Sequence, residues 1–543
     1  MSKLRFGFPL AALALLGAAP PMPPISAERI KADVRMLSSD AFDGRGPGEQ
    51  GEATTIAFIA RSFAEAGLEP GGLDGKWTQE VPVVRLDRLP GAQLSVRIAG
   101  RRNPLRLGAD STLSLRNAGR FDLADAPLVF AGWGVVDAAR GWDAYRGIDM
   151  RGKVAVLLAN DPDMEAGRDL GFGGRALAYK GRSGTKVAAA AKAGAAGVMF
   201  IHEEAAFSWP FAQAANGDML PSIGLAPLQQ SELGFSAIVR REVAVALLRQ
   251  VGLDLASLKA RARNKAFRAF ALRGASMSVS GANRATAFVS HNVIGKLRGT
   301  ERPDEQLLYG AHWDANGHNG PDRSGDSIRN GAVDNATGTA ELIEVARAFA
   351  AAKRPRRSVL FAAWTSEEKG LLGAEYYAAH PLYPLARTAA VINLDPHVVL
   401  PASRTLELIG PGQTDLEAEL GRAAARGGQR VVPEPNPEAG WYFRSDHYPF
   451  AQRGVPALAF RAGRELVKGG RAPGERIVAA YNRNCYHQPC DQFDPRWSFA
   501  GTAQEATAAF RVGQSIANSN GWPKWLAGSD FGAIRAASAA ERR

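Results

Sequence analysis

The sequence predicts an α/β fold built on a mixed, largely parallel sheet, and three segments predict it. Leu307 to His312, Val359 to Glu368 and Ala390 to Asp395 are short apolar runs, each ending in a residue able to ligate a metal. Continuous apolar runs of this kind read as strands buried on both faces, and open parallel sheets place their ligand crevice at the carboxyl ends of the strands. The three runs therefore converge on one crevice. With 543 residues, 46% of them hydrophobic, and no internal repeat, the chain has material for two or three domains with cores of their own.

Taken in order, the chain begins with Lys3 and Arg5 ahead of an apolar stretch, Phe6 to Ala18, with small residues at Gly17-Ala18-Ala19 and again at Ser26-Ala27. That pattern is a secretory leader, assigned to residues 1–27 and followed by a Pro-rich mature start, so an exported, periplasmic or secreted, protein is expected. No later segment reaches the roughly 18 uninterrupted apolar residues of a transmembrane helix. Leu37 to Arg45 precede an amphipathic helix through Ile56, Ile59, Ala60 and Phe63. Ala126–Val136, Gly152–Leu158 and Lys186–Ile201 then read as strand, strand, and helix leading to strand. These belong to a body of their own, residues 116–285, inserted between a first part, 28–115, and a second, 286–525, with 526–543 as a loose tail. The second part resumes at Ser290–Leu297 as an edge-type strand. Glycines at 171–174 and 181–184 lack the spacing and the Lys-Ser/Thr ending of a phosphate loop and read as flexible connections.

The chemistry concentrates in the second part. Glu367 and Glu368 lie side by side at the end of a buried run, where like charges persist only if a cation binds one of them or a proton is shared. His312 and Asp395 end the neighbouring runs. Asp334 sits just before the helical pattern Leu342, Val345, Ala346 and Phe349, where an N-cap is the plain reading and a metal ligand is compatible with it. His487 lies in a polar turn, Cys485 to Asp491. Two His, two Asp and one Glu, without thiolate, suit zinc or a similar ion, shared carboxylates suit a pair of ions, and a spare Glu suits a general base. Cys485 and Cys490 flank His487. In an oxidising compartment they close a small ring, in a reducing one they are two free thiols, and a zinc–thiolate site would need more cysteines than the chain owns.

The segments His312-Trp313-Asp314, Gly331 to Gly338, Trp364 to Glu368, Asn393-Leu394-Asp395 and Tyr486 to Asp491 resemble the co-catalytic zinc peptidases of metallopeptidase family 28. That family includes secreted bacterial aminopeptidases and glutamate carboxypeptidase, with transferrin receptor as a non-catalytic relative. The resemblance implies a three-layer zinc-peptidase fold and two zinc ions bridged by Asp334, with His312 and Asp395 completing one site and Glu368 and His487 the other. It makes Glu367 the base, Asp314 the support of His312, and Tyr486 the group that steadies the tetrahedral intermediate. The stretch Trp441 to Phe450 is similar to the family's substrate-pocket loop, which points to Arg444, Ser445, Asp446 and His447 as substrate-binding residues, with His447 a pocket residue rather than a sixth ligand. His318, His380 and His397 are given surface or local packing roles. Pro396 stands where a methionine is expected. The 116–285 body resembles a protease-associated domain.

What the resemblance implies is a metal-dependent peptidase acting near a chain end, an aminopeptidase by default. A carboxypeptidase or glutaminyl cyclase on the same scaffold, and a receptor-like protein that has lost the chemistry, are the alternatives. A formal charge of +12, 66 basic against 54 acidic residues, raises nucleic acid as a partner. Its arginines are scattered and no aromatic-basic module accompanies them, so a solvated basic surface, a peptide substrate, no nucleic acid and no stable membrane insertion are expected.

Overall fold

The computed structural model describes residues 25–542 other than 219, 229, 230, 232, 319 and 323. The apolar leader stretch, Phe6 to Ala18, lies outside the described residues. Labelled in chain order, the catalytic strands are β1 (Thr78–Arg88), β2 (Phe270–Leu297), β3 (Arg302–His312), β4 (Arg357–Trp364), β5 (Thr388–Asn393), β6 (Thr405–Leu408), β7 (Arg430–Pro433) and β8 (Ala457–Ala462). They pair in the order β1-β2-β4-β3-β5-β8-β6-β7. The central four run parallel, with Leu307 opposite both Val359 and Ala390, and Val391 opposite Ala457. Strand β2 joins them antiparallel at one side and β6 at the other.

Both faces of this sheet are covered, which is why its strands are apolar throughout rather than alternating. Leu307, Tyr309 and Ala311 of β3, with Val359 and Phe361 of β4, face a layer formed by α1 (Ala27–Leu37), α2 (Gln50–Glu65), α3 (Gly338–Ala351) and α5 (Ala500–Asn518). Leu308, Leu360, Ala362 and Trp364 face the opposite layer, with Tyr377, Tyr448 and Phe450. Three layers result, and helix α4 (Arg471–Asn484) leads into the His487 turn.

The inserted body has its own core, running from Leu94 and Val96 through Phe130, Val156, Met199 and Phe235 to Met277 and Val279. Its parallel strands Gly119–Phe130, Val154–Leu158, Gly197–His202 and Phe235–Arg240 neighbour one another in that order. That core begins upstream of residue 116, and position 285 falls inside a continuous strand: β2 is 28 residues long and serves both bodies. Its later half pairs with β1 on one side and β4 on the other, so Ser290–Leu297 is an interior strand and not the edge that its mixed polarity suggested. The residues assigned to a tail are also held. Phe531 is buried beside Tyr179 and Tyr448, and the Arg535 guanidinium donates to the Thr388 carbonyl.

Candidate metal centre

The parallel strands deliver the ligand-type residues together because each turns at the same sheet edge. His312 is the last residue of β3; Glu367 and Glu368 follow β4 across a left-handed Ser366 (φ 56°); Asp395 follows β5 by two residues. Asp334 arrives from the turn before α3. Gly331 opens that turn at φ 53°, where a Cβ would lie 2.2 Å from the Asp334 carbonyl oxygen, so only glycine fits. The neighbour Asn335, not Asp334, caps the helix: its Oδ1 accepts the Gly338 N–H at 2.8 Å. The cap expected of Asp334 is thus made by Asn335, and the Asp334 carboxylate is left to the crevice. The Asp334–Asn335 peptide bond is cis.

Asp334 divides its two oxygens between two imidazoles. Oδ1 lies 3.3 Å from His312 Nε2 and Oδ2 lies 3.1 Å from His487 Nε2. Asp395 stands 3.8 Å from His312 Nε2, and Glu368 stands 3.0 Å from His487 Nε2. The result is two triads, His312–Asp334–Asp395 and Asp334–Glu368–His487, each with ligand atoms within 4.8 Å of one another. Glu367 belongs to neither and points its Oε2 to within 3.9 Å of His312 Nε2. His312 Nδ1 meets the Asp314 carbonyl oxygen at 3.0 Å, which places its hydrogen there and leaves Nε2 for the cluster. The Asp314 carboxylate accepts the N–H groups of Glu367 (3.0 Å) and Glu368 (3.4 Å), so Asp314 fixes the Glu pair through its side chain and the histidine through its carbonyl. Cys485 and Cys490 are joined, and the ring they close contains His487.

Three further residues organise the cluster. Arg45, 1% exposed, donates to the carbonyls of Leu37, Trp313, Asn330 and Gly331, tying the segment after His312 to the one before Asp334. The Asp491 carboxylate accepts the N–H groups of Val333 (2.9 Å) and Asp334 (3.1 Å) and the Tyr481 hydroxyl (3.1 Å). Ser445 donates to Asp395 Oδ2 at 2.5 Å and accepts from Asn393. Asp491 lies within a sequence stretch that carries the family resemblance and Arg45 closes the Leu37–Arg45 stretch, but no spacing rule singles them out, since their work is done across the fold.

Burial disfavours a charge on either imidazole, yet the carboxylates outweigh it. Glu367, Asp314 and Asp334 hold His312 well above the usual histidine range, and Glu368 and Asp334 hold His487 up at about 10. Burial also pushes the Glu367 carboxyl well above the ordinary carboxylate range, with the His312 charge pulling the other way. A cluster of this kind demands positive charge at its centre. Glu368 Oε1 is buried with no hydrogen-bond partner among the described residues, and the donors are imidazole nitrogens and carboxylate oxygens without thiolate. That set fits zinc at both triads, with Asp334 common to them.

Beside the cluster opens a cavity of about 340 Å³, walled by Ile409, Trp441, Phe443, Phe460 and Tyr486 and by Arg182 from the inserted body. Tyr486 stacks on His487 with ring centroids 3.8 Å apart. Of the four residues expected to bind substrate, Arg444, Ser445 and His447 line this cavity, while Asp446 is 1% exposed and both its oxygens lack a partner among the described residues. His447 packs edge-on to Tyr442 and joins neither triad. His318 and His380 make local contacts, with Asp43 and with Tyr376. His397 differs from expectation: it lines the cavity, its ring against Trp441 at 4.4 Å. Pro396 forms part of the same wall.

Residues 292–511 match Peptidase family M28. Aminopeptidase NAALADL1 of Mus musculus is 38% identical over 128 residues, which is 22% of this chain and 16% of that protein. A probable zinc metalloprotease of Pyrenophora teres f. teres (strain 0-1) is 43% identical over 103 residues, 19% of this chain and 22% of that protein. The segments matched thus span less than a quarter of either relative. The fold is similar to that of the aminopeptidase from Aneurinibacillus sp. strain AM-1, with a TM-score of 0.53 and 18% identity over 92% of this chain and 95% of that one.

Proposed function

Because residues 292–511 match peptidase family M28, we propose that this chain is an exported zinc-dependent aminopeptidase. The observation that carries the reading is the Asp334 carboxylate shared between His312 and His487, with Glu367 alongside and committed to neither triad. His312, Asp334 and Asp395 would hold one zinc ion and Asp334, Glu368 and His487 the other; when bound, the pair supplies Lewis acidity and makes a water acidic enough to serve as nucleophile.

The chain's own residues do the rest. Glu367 takes the proton of the attacking water and returns it to the leaving nitrogen. Arg444 donates to the Tyr486 hydroxyl oxygen at 3.3 Å, so the phenolic hydrogen is free to point at the oxygen on which charge develops. Asp314 holds His312 and the Glu pair in register, and Asp491 holds the Asp334 turn. Trp441, Phe443 and Phe460 give the cavity beside the cluster an apolar lining, which suits the side chain of a terminal residue. Within the cavity the carboxylates all belong to the cluster, and a free amino terminus finds its counter-charge there. Export rests on the leader pattern in the sequence and agrees with the Cys485–Cys490 bond, which needs an oxidising compartment to persist.

One observation favours a second reading, a carboxypeptidase: Arg444 stands in the cavity and would also suit a free terminal carboxylate. The two separate on paired peptides with free and acetylated amino ends. We expect hydrolysis of the free-amine peptide alone, lost on chelation and restored by zinc. Equal hydrolysis of the acetylated peptide would sink the aminopeptidase reading, and full activity after exhaustive chelation would sink the metal mechanism.

A further inference from the structure

The cavity is lined by charges of both signs. Its acidic side chains, Asp334, Glu367, Glu368 and Asp395, all belong to the metal cluster, and three arginines, Arg182, Arg444 and Arg461, share the lining. Two of those arginines are already engaged. Arg461 is held by Glu407 at 3.2 Å, and Arg182 lies 4.0 Å from the Tyr448 ring centroid and donates to the Phe443 carbonyl. Arg444 is different: its guanidinium sits 4.3 Å over Trp441, makes one long hydrogen bond to Tyr486, and has no carboxylate partner among the described residues. Stacking on indole steadies the planar cation and leaves its donor fork open, and a half-buried guanidinium without a counter-ion is a costly arrangement that an anionic group relieves. His397 adds a second polar group at the same indole. Its ring lies against Trp441, and its Nε2 is buried without a partner among the described residues. An imidazole that carries its hydrogen on Nε2 can donate from there.

We propose that this end of the cavity reads an acidic side chain: Arg444 pairs with the carboxylate of an amino-terminal Glu or Asp, His397 donates to the same group, and Trp441 packs against its methylenes. The assignment rests on the aminopeptidase reading for which end of the peptide is presented. Arg444 here is a specificity determinant, distinct from its contact with Tyr486, and the two roles predict different kinetics. Losing the Tyr486 contact slows every substrate alike, whereas losing the anion pair slows acidic substrates selectively.

The test uses the zinc-loaded full chain and the peptides Glu-Ala-Ala, Gln-Ala-Ala, Leu-Ala-Ala and Lys-Ala-Ala. We expect kcat/KM for the Glu peptide to exceed that for Gln by at least about 10-fold, since a site built to pair a polar group rejects an analogue that cannot satisfy it. Arg444→Gln should lower the Glu peptide at least about 10-fold more than the Leu peptide, and Arg444→Lys should recover part of the difference. Wild-type cleavage of the Gln or Leu peptide as fast as the Glu peptide overturns the proposal, as does an equal loss on all four peptides in Arg444→Gln. Calorimetric titration with free glutamate and free glutamine, which differ only in the side-chain group, keeps the two readings apart. If only acetylated peptides are cleaved, the aminopeptidase reading falls. Tighter glutamate binding that disappears in Arg444→Gln would still uphold the acidic subsite, and equal binding of the two amino acids would overturn it.

Discussion

The catalytic sheet and the inserted body have the same ingredients and use them in opposite ways. Each has four neighbouring parallel strands that contribute to an apolar core, and each carries Asp, His and Glu at or just past its strand ends. In the inserted body those groups are satisfied locally. Asp163 accepts the N–H groups of Leu170, Phe172 and Gly174, Asp161 accepts those of Asp163 and Ala178, and His202 stacks on Phe207 while bonding the Trp209 carbonyl. The buried Lys186 donates to the carbonyls of Leu158 and Asn160. In the catalytic sheet, backbone donors are given to Asp314 and Asp491, while Asp334, Glu368 and Asp395 face imidazoles and one another. Acidic residues at strand ends do not by themselves make a metal site; the ones that form this cluster are free of backbone donors and converge on imidazoles.

That contrast can be broken at several points, the severest first. Asp334→Ala should abolish turnover and remove both zinc ions together, measured by elemental analysis after gel filtration; two tightly held ions in this variant would refute the shared carboxylate. Glu367→Gln should keep zinc content and cut kcat by about 10²–10⁴-fold, the range for a general base. If Glu367→Gln lost metal while Glu368→Gln kept it, the two glutamates would exchange roles. Asp491→Asn, which touches no ligand atom of the triads, should still weaken zinc affinity or activity about 10–100-fold, read from a competitive chelator titration, because it frees the Asp334 turn. Asp163→Asn is the counter-experiment. It should cost about 1–3 kcal/mol of stability in urea denaturation, as buried N–H groups lose their acceptor, with zinc content and kcat unmoved. Zinc loss in that variant would erase the distinction between the two bodies.

Much of the site was legible before the fold was known, for a physical reason. His312, the Glu pair and Asp395 end apolar runs, and an apolar run leaves few places for a polar residue except its exit. Asp334 was legible only in part: a single sequence cannot show whether a carboxylate before a helix caps it, and here Asn335, one position on, takes that work. Residues whose partners lie far along the chain left no local trace. Arg45 bonds Asn330 and Gly331, Asp491 bonds Val333, and His397 finds Trp441, each across a separation that periodicity does not encode. The seam between the bodies was misplaced because both continue one strand, and an uninterrupted strand carries no turn signal at the point where its neighbours change.

That strand, β2, gives its first half to the inserted body, against Gln93–Ile98 and Gly119–Phe130, and its second half to β1 and β4. Excising residues 116–285 would remove Asn283, Arg284 and Ala285, which pair with Arg88, Asp87 and Leu86. The two halves of the molecule are therefore welded rather than hinged: a load or a denaturant acting on one half reaches the other along one continuous strand, and the wall that Arg182 contributes to the cavity belongs to a body joined through that strand rather than through a flexible linker alone.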